Sequence, residues 1–291
     1  MSSISAIITS NFLEIFNFKN MVEKSLQKPS RRNKPFDLSS YHKSFFVSDF
    51  QVLGKSVVTL QPKSKSNTKH VLYFHGGAYL LEGSVVHWNI IQNIATKANC
   101  TVSYIDYPLA PESTYIDTFD MVQQAYDKLI SDFADNEFIF IGDSAGGGLA
   151  LAFAQKLLNE KAAIQPIKLV LFSPWLDMSM ENQEIKTIEK FDKILSVVAL
   201  RKAASLYSGG DDLSNYLLSP IHGNFDGLGE VLVFYGTHEI LYPDVLKLKT
   251  ITANLGNFQF REFDKMQHDW VLFPIPEAKQ AIKIALDFMI S

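Results

Sequence analysis

Cysteine is nearly absent from this 291-residue chain, where Cys100 stands alone. One thiol cannot build an internal disulfide framework or a cysteine-rich zinc site. Charge of one sign is scarce too: Lys and Arg number 27 against 31 Asp and Glu, a formal net charge of −4. So small a balance selects neither nucleic acid nor an acidic membrane surface as partner. Long apolar runs are missing. Stretches such as Val231–Tyr235 are strand-length, well short of the ~18 residues a membrane helix needs. Residues Met1–Asn20 lack a basic leading region, and Asn11 and Glu14 interrupt their apolar stretch, so no secretory signal is read there. Internal repeats and low-complexity tracts are lacking as well. These absences lead to the expectation of a cytoplasmic protein without stable membrane insertion. Its partner is expected to be a small molecule; a second copy of the chain is left open.

What is present is an ordinary globular balance, 47% apolar and 20% charged residues. The length suits one large α/β domain or two smaller ones, and a single domain over 1–291 is expected. In the first forty residues Ile4, Ile7, Ile8, Phe12, Ile15 and Phe16 recur at helical spacing, which predicts an amphipathic helix. A basic, proline-bounded stretch follows, Lys28 to Pro35. It reads as a solvated connector, with a polyanion site as the less favoured alternative.

From Phe45 the pattern changes. Phe45–Val52 and Ser56–Gln61 read as two antiparallel strands turning at Gly54. Near-continuous apolar runs then alternate with helical stretches. The runs are Val71–Phe74, Thr101–Ile105, Phe138–Ile141, Lys168–Phe172, Val231–Tyr235 and Phe258–Phe263. The helices are Val86–Ala98, Thr118–Phe133, Ala145–Glu160, Asp244–Leu255 and Glu277–Ile290. This alternation predicts an α/β fold: a mostly parallel sheet with helices on both faces. Such sheets bind ligands at the carboxyl ends of their strands. The connection from Phe172 to Val231 is far longer than the others, with helical patches at Ile185–Phe191 and Ile194–Tyr207. Asp177–Asp212 is read as a cap formed with residues 1–40; an ordinary pair of packing helices is the alternative.

The sharpest chemical signal is Gly142-Asp143-Ser144-Ala145-Gly146, which follows a strand and opens a helix. A turn that tight strains the serine backbone and excludes larger residues at Gly142 and Gly146. It lifts the Ser144 hydroxyl above the sheet at a helix N-terminus, the geometry of a nucleophile elbow. Neither G-x-G-x-x-G nor a lysine after the glycines is present, which disfavours dinucleotide and phosphate-loop sites. The second signal is His75-Gly76-Gly77-Ala78-Tyr79, directly after a strand. Acyl transfer needs backbone N–H donors aimed where the tetrahedral oxyanion forms. Gly77, Ala78 and Ala145 are the expected donors, with Gly76 as support.

These two motifs resemble the hormone-sensitive-lipase family of α/β-hydrolases. Tyr107-Pro108-Leu109-Ala110-Pro111-Glu112, Ser173-Pro174-Trp175-Leu176-Asp177 and Met266-Gln267-His268-Asp269-Trp270 extend the resemblance toward its small bacterial carboxylesterases. It runs from about Val71 to the C-terminus. The resemblance implies an α/β-hydrolase fold with a small helical cap and activity on short-chain acyl esters. Two departures stand out. Ala78 replaces the family's common third glycine but keeps its N–H, and Pro108 replaces a common arginine and loses whatever ion pair that residue made.

A serine nucleophile needs a base, and the base an orienting acid. The expected chain order is Ser, acid, His. Of seven histidines, only His268 lies between the last strand and the last helix. His75 is expected to brace the oxyanion loop. The acid should follow the strand Val231–Tyr235, where Glu239 is preferred; Asp244, after Pro243, is the rival and reads as a first-turn helix residue. Asp143 is expected to bond nearby backbone and Cys100 to be an inert core thiol. Trp88, Trp175 and Trp270 are left between the acyl pocket and core packing. The chemistry so read requires no metal and no organic cofactor. An amide hydrolase or deacetylase with the same triad, and a non-catalytic small-molecule binder on the same scaffold, are the competing readings.

Overall fold

The structure is a computed structural model and describes residues 2–32, 36–64 and 67–291. Strands β1 (Phe45–Val52) and β2 (Lys55–Pro62) form the antiparallel hairpin, and β3 (Lys69–Phe74), β4 (Thr101–Ile105), β5 (Glu137–Asp143), β6 (Lys168–Phe172), β7 (Glu230–Gly236) and β8 (Phe258–Phe263) follow. They make one sheet in the order β1-β2-β4-β3-β5-β6-β7-β8, parallel from β4 to β8. The helices are α1 (Ile4–Ile15), α2 (Phe18–Gln27), α3 (Val85–Lys97), α4 (Tyr115–Asp132), α5 (Ser144–Asn159), α6 (Ile185–Ile188), α7 (Val197–Ser208), α8 (Tyr242–Ile251) and α9 (Pro276–Ile290).

Strand periodicity divides the core. Val71 and Tyr73 of β3 join Trp88 and Ile91 of α3 and Ala281 and Ala285 of α9 in one layer. Leu72 and Phe74 point the other way, into a layer with Phe119 of α4 and Leu149 and Phe153 of α5. Both faces of the central strands are therefore covered, which is why their sequences run apolar without alternating. Cys100 is fully buried just before β4, and burial pushes its thiol up to about 12, as suits an inert core residue.

Register brings the carboxyl ends of the strands into line. Phe74 pairs with Gly142, Asp143 with Phe172, Phe172 with Phe234 and Gly236 with Phe263. The loops after β3, β5, β6, β7 and β8 thus leave the same edge of the sheet. Between β6 and β7 the insertion carries α6, one turn long and ending before the expected Phe191, and α7.

The N-terminal helix departs from the expectation. Its six named apolar residues are exposed, from 51% for Ile7 to 77% for Ile4, while Ala6 and Leu13 are buried. Ser5, Thr9, Ser10 and Asn11 are scattered among its apolar residues and Glu14 is its only charge, so periodicity could not identify the inward side. Glu14 pairs with Lys193 of the insertion at 3.1 Å, and Lys19 of α2 donates to the Glu189 and Asp192 carbonyls.

Arg31 and Arg32 of the basic stretch are not solvated as expected of a connector. Arg31 donates to the carbonyls of Leu80 and Ala110, each at 2.6 Å, and pairs with Glu112. Arg32 donates to Gly83 O at 2.6 Å and lies beside Glu82 and Asp106. A guanidinium therefore does reach the loop in which Pro108 stands, from outside it. The end of the stretch, residues 33–35, lies outside the described residues. Arg31→Ala should destabilise the fold by about 2 kcal/mol, the usual scale for charge-assisted bonds. For a chain of this length that corresponds to a melting point lower by roughly 3 °C. Calorimetry checks it, and an unchanged melting point would show the clamp to be idle.

Candidate active site

The elbow is built by steric exclusion. Ser144 takes φ +51 between β5 and α5, strain that persists only where the surroundings enforce it. A Cβ on Gly142 would lie 2.2 Å from Gly146 O, and one on Gly146 would lie 2.1 Å from Phe74 O. Neither position accepts a side chain, so the strand-to-helix turn stays this tight.

The structure brings Ser144, His268 and Glu239 together across 124 and 29 residues of sequence. Ser144 Oγ lies 2.8 Å from His268 Nε2, and His268 Nδ1 lies 2.7 Å from Glu239 Oε2. An ionised carboxylate only accepts, so Nδ1 carries the hydrogen in that contact. Glu239 Oε1 in turn accepts from Ser173 Oγ at 2.9 Å and from Gly236 N–H at 2.8 Å. Ser144, His268 and Glu239 are 6%, 3% and 0% exposed. Burial works against a charge on His268, but the carboxylates of Asp269 and Glu239 outweigh it and hold the imidazole well above its usual range.

Asp244 is elsewhere. It lies in the first turn of α8, and its Oδ1 accepts from Asn182 Nδ2 at 2.9 Å. Burial pushes its carboxyl up to about 6.

The loop after β3 packs against Ser144, since a Cβ on Gly76 would lie 3.1 Å from Ser144 Cβ. Gly77 and Ala78 have φ of +121 and +53. Their N–H groups have no acceptor among the described residues, and Ala145 stands in the first turn of α5, where helical acceptors are lacking. Gly76 differs from these three. Its N–H donates to Asp143 Oδ2 at 2.9 Å and is not free for an oxyanion; it supports the loop only.

Asp143 also accepts from Tyr73 Oη at 2.6 Å and faces His87 Nε2 at 3.2 Å, so the residue before the nucleophile fastens β3 and α3 beneath the loop. His75 braces the same turn. Its Nδ1 lies 2.7 Å from Gly76 O, its ring stacks on Tyr107, and burial pushes it down to about 3. The backbone N–H of Trp175 donates to Ser144 O at 2.9 Å and its indole N–H to Asp177 O at 3.0 Å, whereas Trp88 and Trp270 belong to the layer under α3 and α9.

Sequence reasoning missed several supports. Asp192, in the insertion, accepts from the Ile240 N–H at 2.8 Å, next to Glu239. Gln267, next to His268, accepts from Lys193 N–H at 2.7 Å and donates to Phe191 O at 3.1 Å. The insertion thus holds the loops of both Glu239 and His268. Nothing in the local pattern of Phe191–Leu195 signals this. Asp269, whose carboxylate lies 3.2 Å from His268 Nε2, was visible as a charge adjoining the base.

No helix among the described residues is long and apolar enough to cross a membrane. Residues 71–272 match the model of a family described as alpha/beta hydrolase fold. An esterase of Acinetobacter venetianus is 30% identical over 78% of this chain and 76% of its own length. An acetyl-hydrolase of Streptomyces hygroscopicus is 30% identical over 83% and 82%. Among solved structures, an esterase from the bacterial hormone-sensitive lipase family superposes with a TM-score of 0.83 at 26% identity, covering 100% of this chain and 99% of that one. With the sheet order, the elbow and these matches in place, the chain belongs to the alpha/beta hydrolase fold family, in its hormone-sensitive-lipase-like group.

Proposed function

We propose that this protein is a serine carboxylesterase that cleaves short-chain acyl esters through an acyl-enzyme. The observation that carries the reading is the unbroken hydrogen-bonded line from Ser144 through His268 to Glu239. Ser144 Oγ attacks the ester carbonyl as His268 Nε2 takes its proton. Glu239 fixes the imidazole tautomer and stabilises the imidazolium. The N–H groups of Gly77, Ala78 and Ala145 receive the oxyanion, and such donors act most strongly where water is excluded. The proton passes to the departing alkoxide. Water, deprotonated by His268, then releases the acid and restores Ser144. The esterase and acetyl-hydrolase relatives support the ester class and the small acyl group. Turnover of nitrophenyl esters of increasing acyl length, set beside matched anilides, tests it. Fastest cleavage of the shortest esters is expected; faster cleavage of the anilides would make the protein an amide hydrolase.

In this reading α1, α2 and the Asp177–Asp212 insertion form a cap over the site. The near-complete burial of Ser144 supports that role, as do the bonds from Lys19 to the insertion and from Asp192 to the acid loop. Removing residues 1–20 should leave labelling of Ser144 by a phosphonate intact and alter the acyl-length profile. An unchanged profile with unchanged stability would exclude α1 and the start of α2 from the cap.

A further inference from the structure

Asp269 is the group at the base that the proposed chemistry leaves unused. Its backbone is left-handed, φ +49, a conformation that aspartate tolerates better than most residues. That turn directs the carboxylate back onto the imidazole, where Oδ2 lies 3.2 Å from His268 Nε2 beside Ser144 Oγ at 2.8 Å. Oδ1 is buried with no partner among the described residues. Asp269 opens the short 3-10 turn Trp270–Leu272 without capping it through its side chain. The carboxylate as a whole is 16% exposed, but burying one of its oxygens without a partner is destabilising, and no structural bond accounts for that oxygen. The partner of Oδ2 is the atom that moves the proton.

Glu239 and Asp269 thus place a carboxylate on each nitrogen of one ring. With Nε2 bare, an ionised Asp269 faces a lone pair and repels it. With Nε2 protonated, it faces a positive charge at ion-pair distance. We propose that Asp269 is a second carboxylate on the base, stabilising the imidazolium formed during attack and setting the pH above which His268 is free to accept the Ser144 proton. This rests on Ser144 and His268 acting as nucleophile and base. Asp269 neither takes nor gives a proton: the proton moves from Ser144 Oγ to His268 Nε2 and on to the leaving alkoxide.

The other groups facing this ring are few. Glu239 comes from the loop after β7, and Asp192 from the insertion is tied to the N–H groups of Ile194, Leu195 and Ile240. Asp143 from the end of β5 is held by Tyr73 of β3 and His87 of α3. Burial opposes a charge on His268, yet Asp269 leads the carboxylates that hold its pKa above the usual value, while burial pushes Asp269 itself up to about 6. The carboxylates therefore favour the charged imidazole, and activity should rise as the pH climbs and that proton leaves. Removing the Asp269 charge lowers the His268 pKa, so the rise moves to lower pH and the plateau falls as the imidazolium loses a partner.

The test uses Asp269→Asn and Asp269→Gly in the full chain, both compatible with a positive φ. The inflection of kcat/KM against pH should fall by about one to three units in each, the scale of one close opposite charge. The plateau should fall by about tenfold or more, the loss of a single charge-assisted bond. The imidazole resonances of His268, titrated by NMR, read the same shift without turnover. An unmoved inflection and an unmoved His268 titration in both variants overturn the proposal. A shift in the asparagine variant alone also overturns it, because the new amide would then be donating to Nε2. Failure of the triad reading registers separately, as turnover that survives Ser144→Ala.

Discussion

Ser144→Ala should lower ester turnover by about 10⁴–10⁶-fold, the scale of losing the nucleophile from an intact triad. The substitution removes one oxygen and leaves the backbone of the elbow in place, since Gly142 and Gly146 still exclude any wider turn. One hydrogen bond goes with it, the 2.8 Å contact to His268 Nε2. Asp269 Oδ2 remains beside that nitrogen, so the imidazole keeps a polar neighbour and the melting point should change little. A phosphonate inhibitor should label the unmodified protein stoichiometrically, and peptide mapping should place the adduct on Ser144. An adduct on another serine, or a variant that retains turnover, would remove Ser144 from the mechanism.

The parts legible in the sequence were those written locally. Five of the parallel strands, β3 to β7, could be read because each is buried on both faces and so forms a short apolar run, the edge strand β8 because its phenylalanines recur between polar residues, and the two strands of the hairpin because a turn at Gly54 joins them. The elbow could be read because its sterics act between residues four apart, and His268 because chain order leaves one histidine after the last strand. What could not be read is set by distance. Arg31 finds its carbonyls 49 and 79 residues away, and nothing in a proline-bounded basic stretch announces them. Asp192 reaches Ile240 across 48 residues. The orientation of α1 was hidden for another reason. Ala6 and Leu13, seven apart, form its inward line, but isoleucine and phenylalanine elsewhere on the helix outweigh them in any apolar pattern. Neighbouring strands were also out of reach, because β4 lies between β2 and β3 in the sheet while following both in the chain.

Glu239→Gln should lower kcat by about 10²–10⁴-fold, through tautomer rather than shape. Glu239 Oε1 is already bound by two donors, Ser173 Oγ–H and Gly236 N–H. A glutamine must keep its carbonyl oxygen there, since an NH₂ in that position would face two donors. Its NH₂ is therefore forced to the place of Oε2, 2.7 Å from His268 Nδ1. A donor facing Nδ1 makes that nitrogen an acceptor and moves the ring hydrogen to Nε2. There it points at Ser144 Oγ and Asp269 Oδ2, and the base can no longer take the serine proton. Asp269 strengthens the wrong tautomer, so raising the pH should not restore the rate as it would for a base that is merely protonated. Asp244→Asn is the control. That carboxyl, in the first turn of α8, bonds Asn182 of the insertion, and its loss should leave kcat within about twofold, as expected of a group outside the reacting line. Should Asp244→Asn show the large loss while Glu239→Gln does not, the acid is Asp244, and the loop after β7 must rearrange when substrate binds.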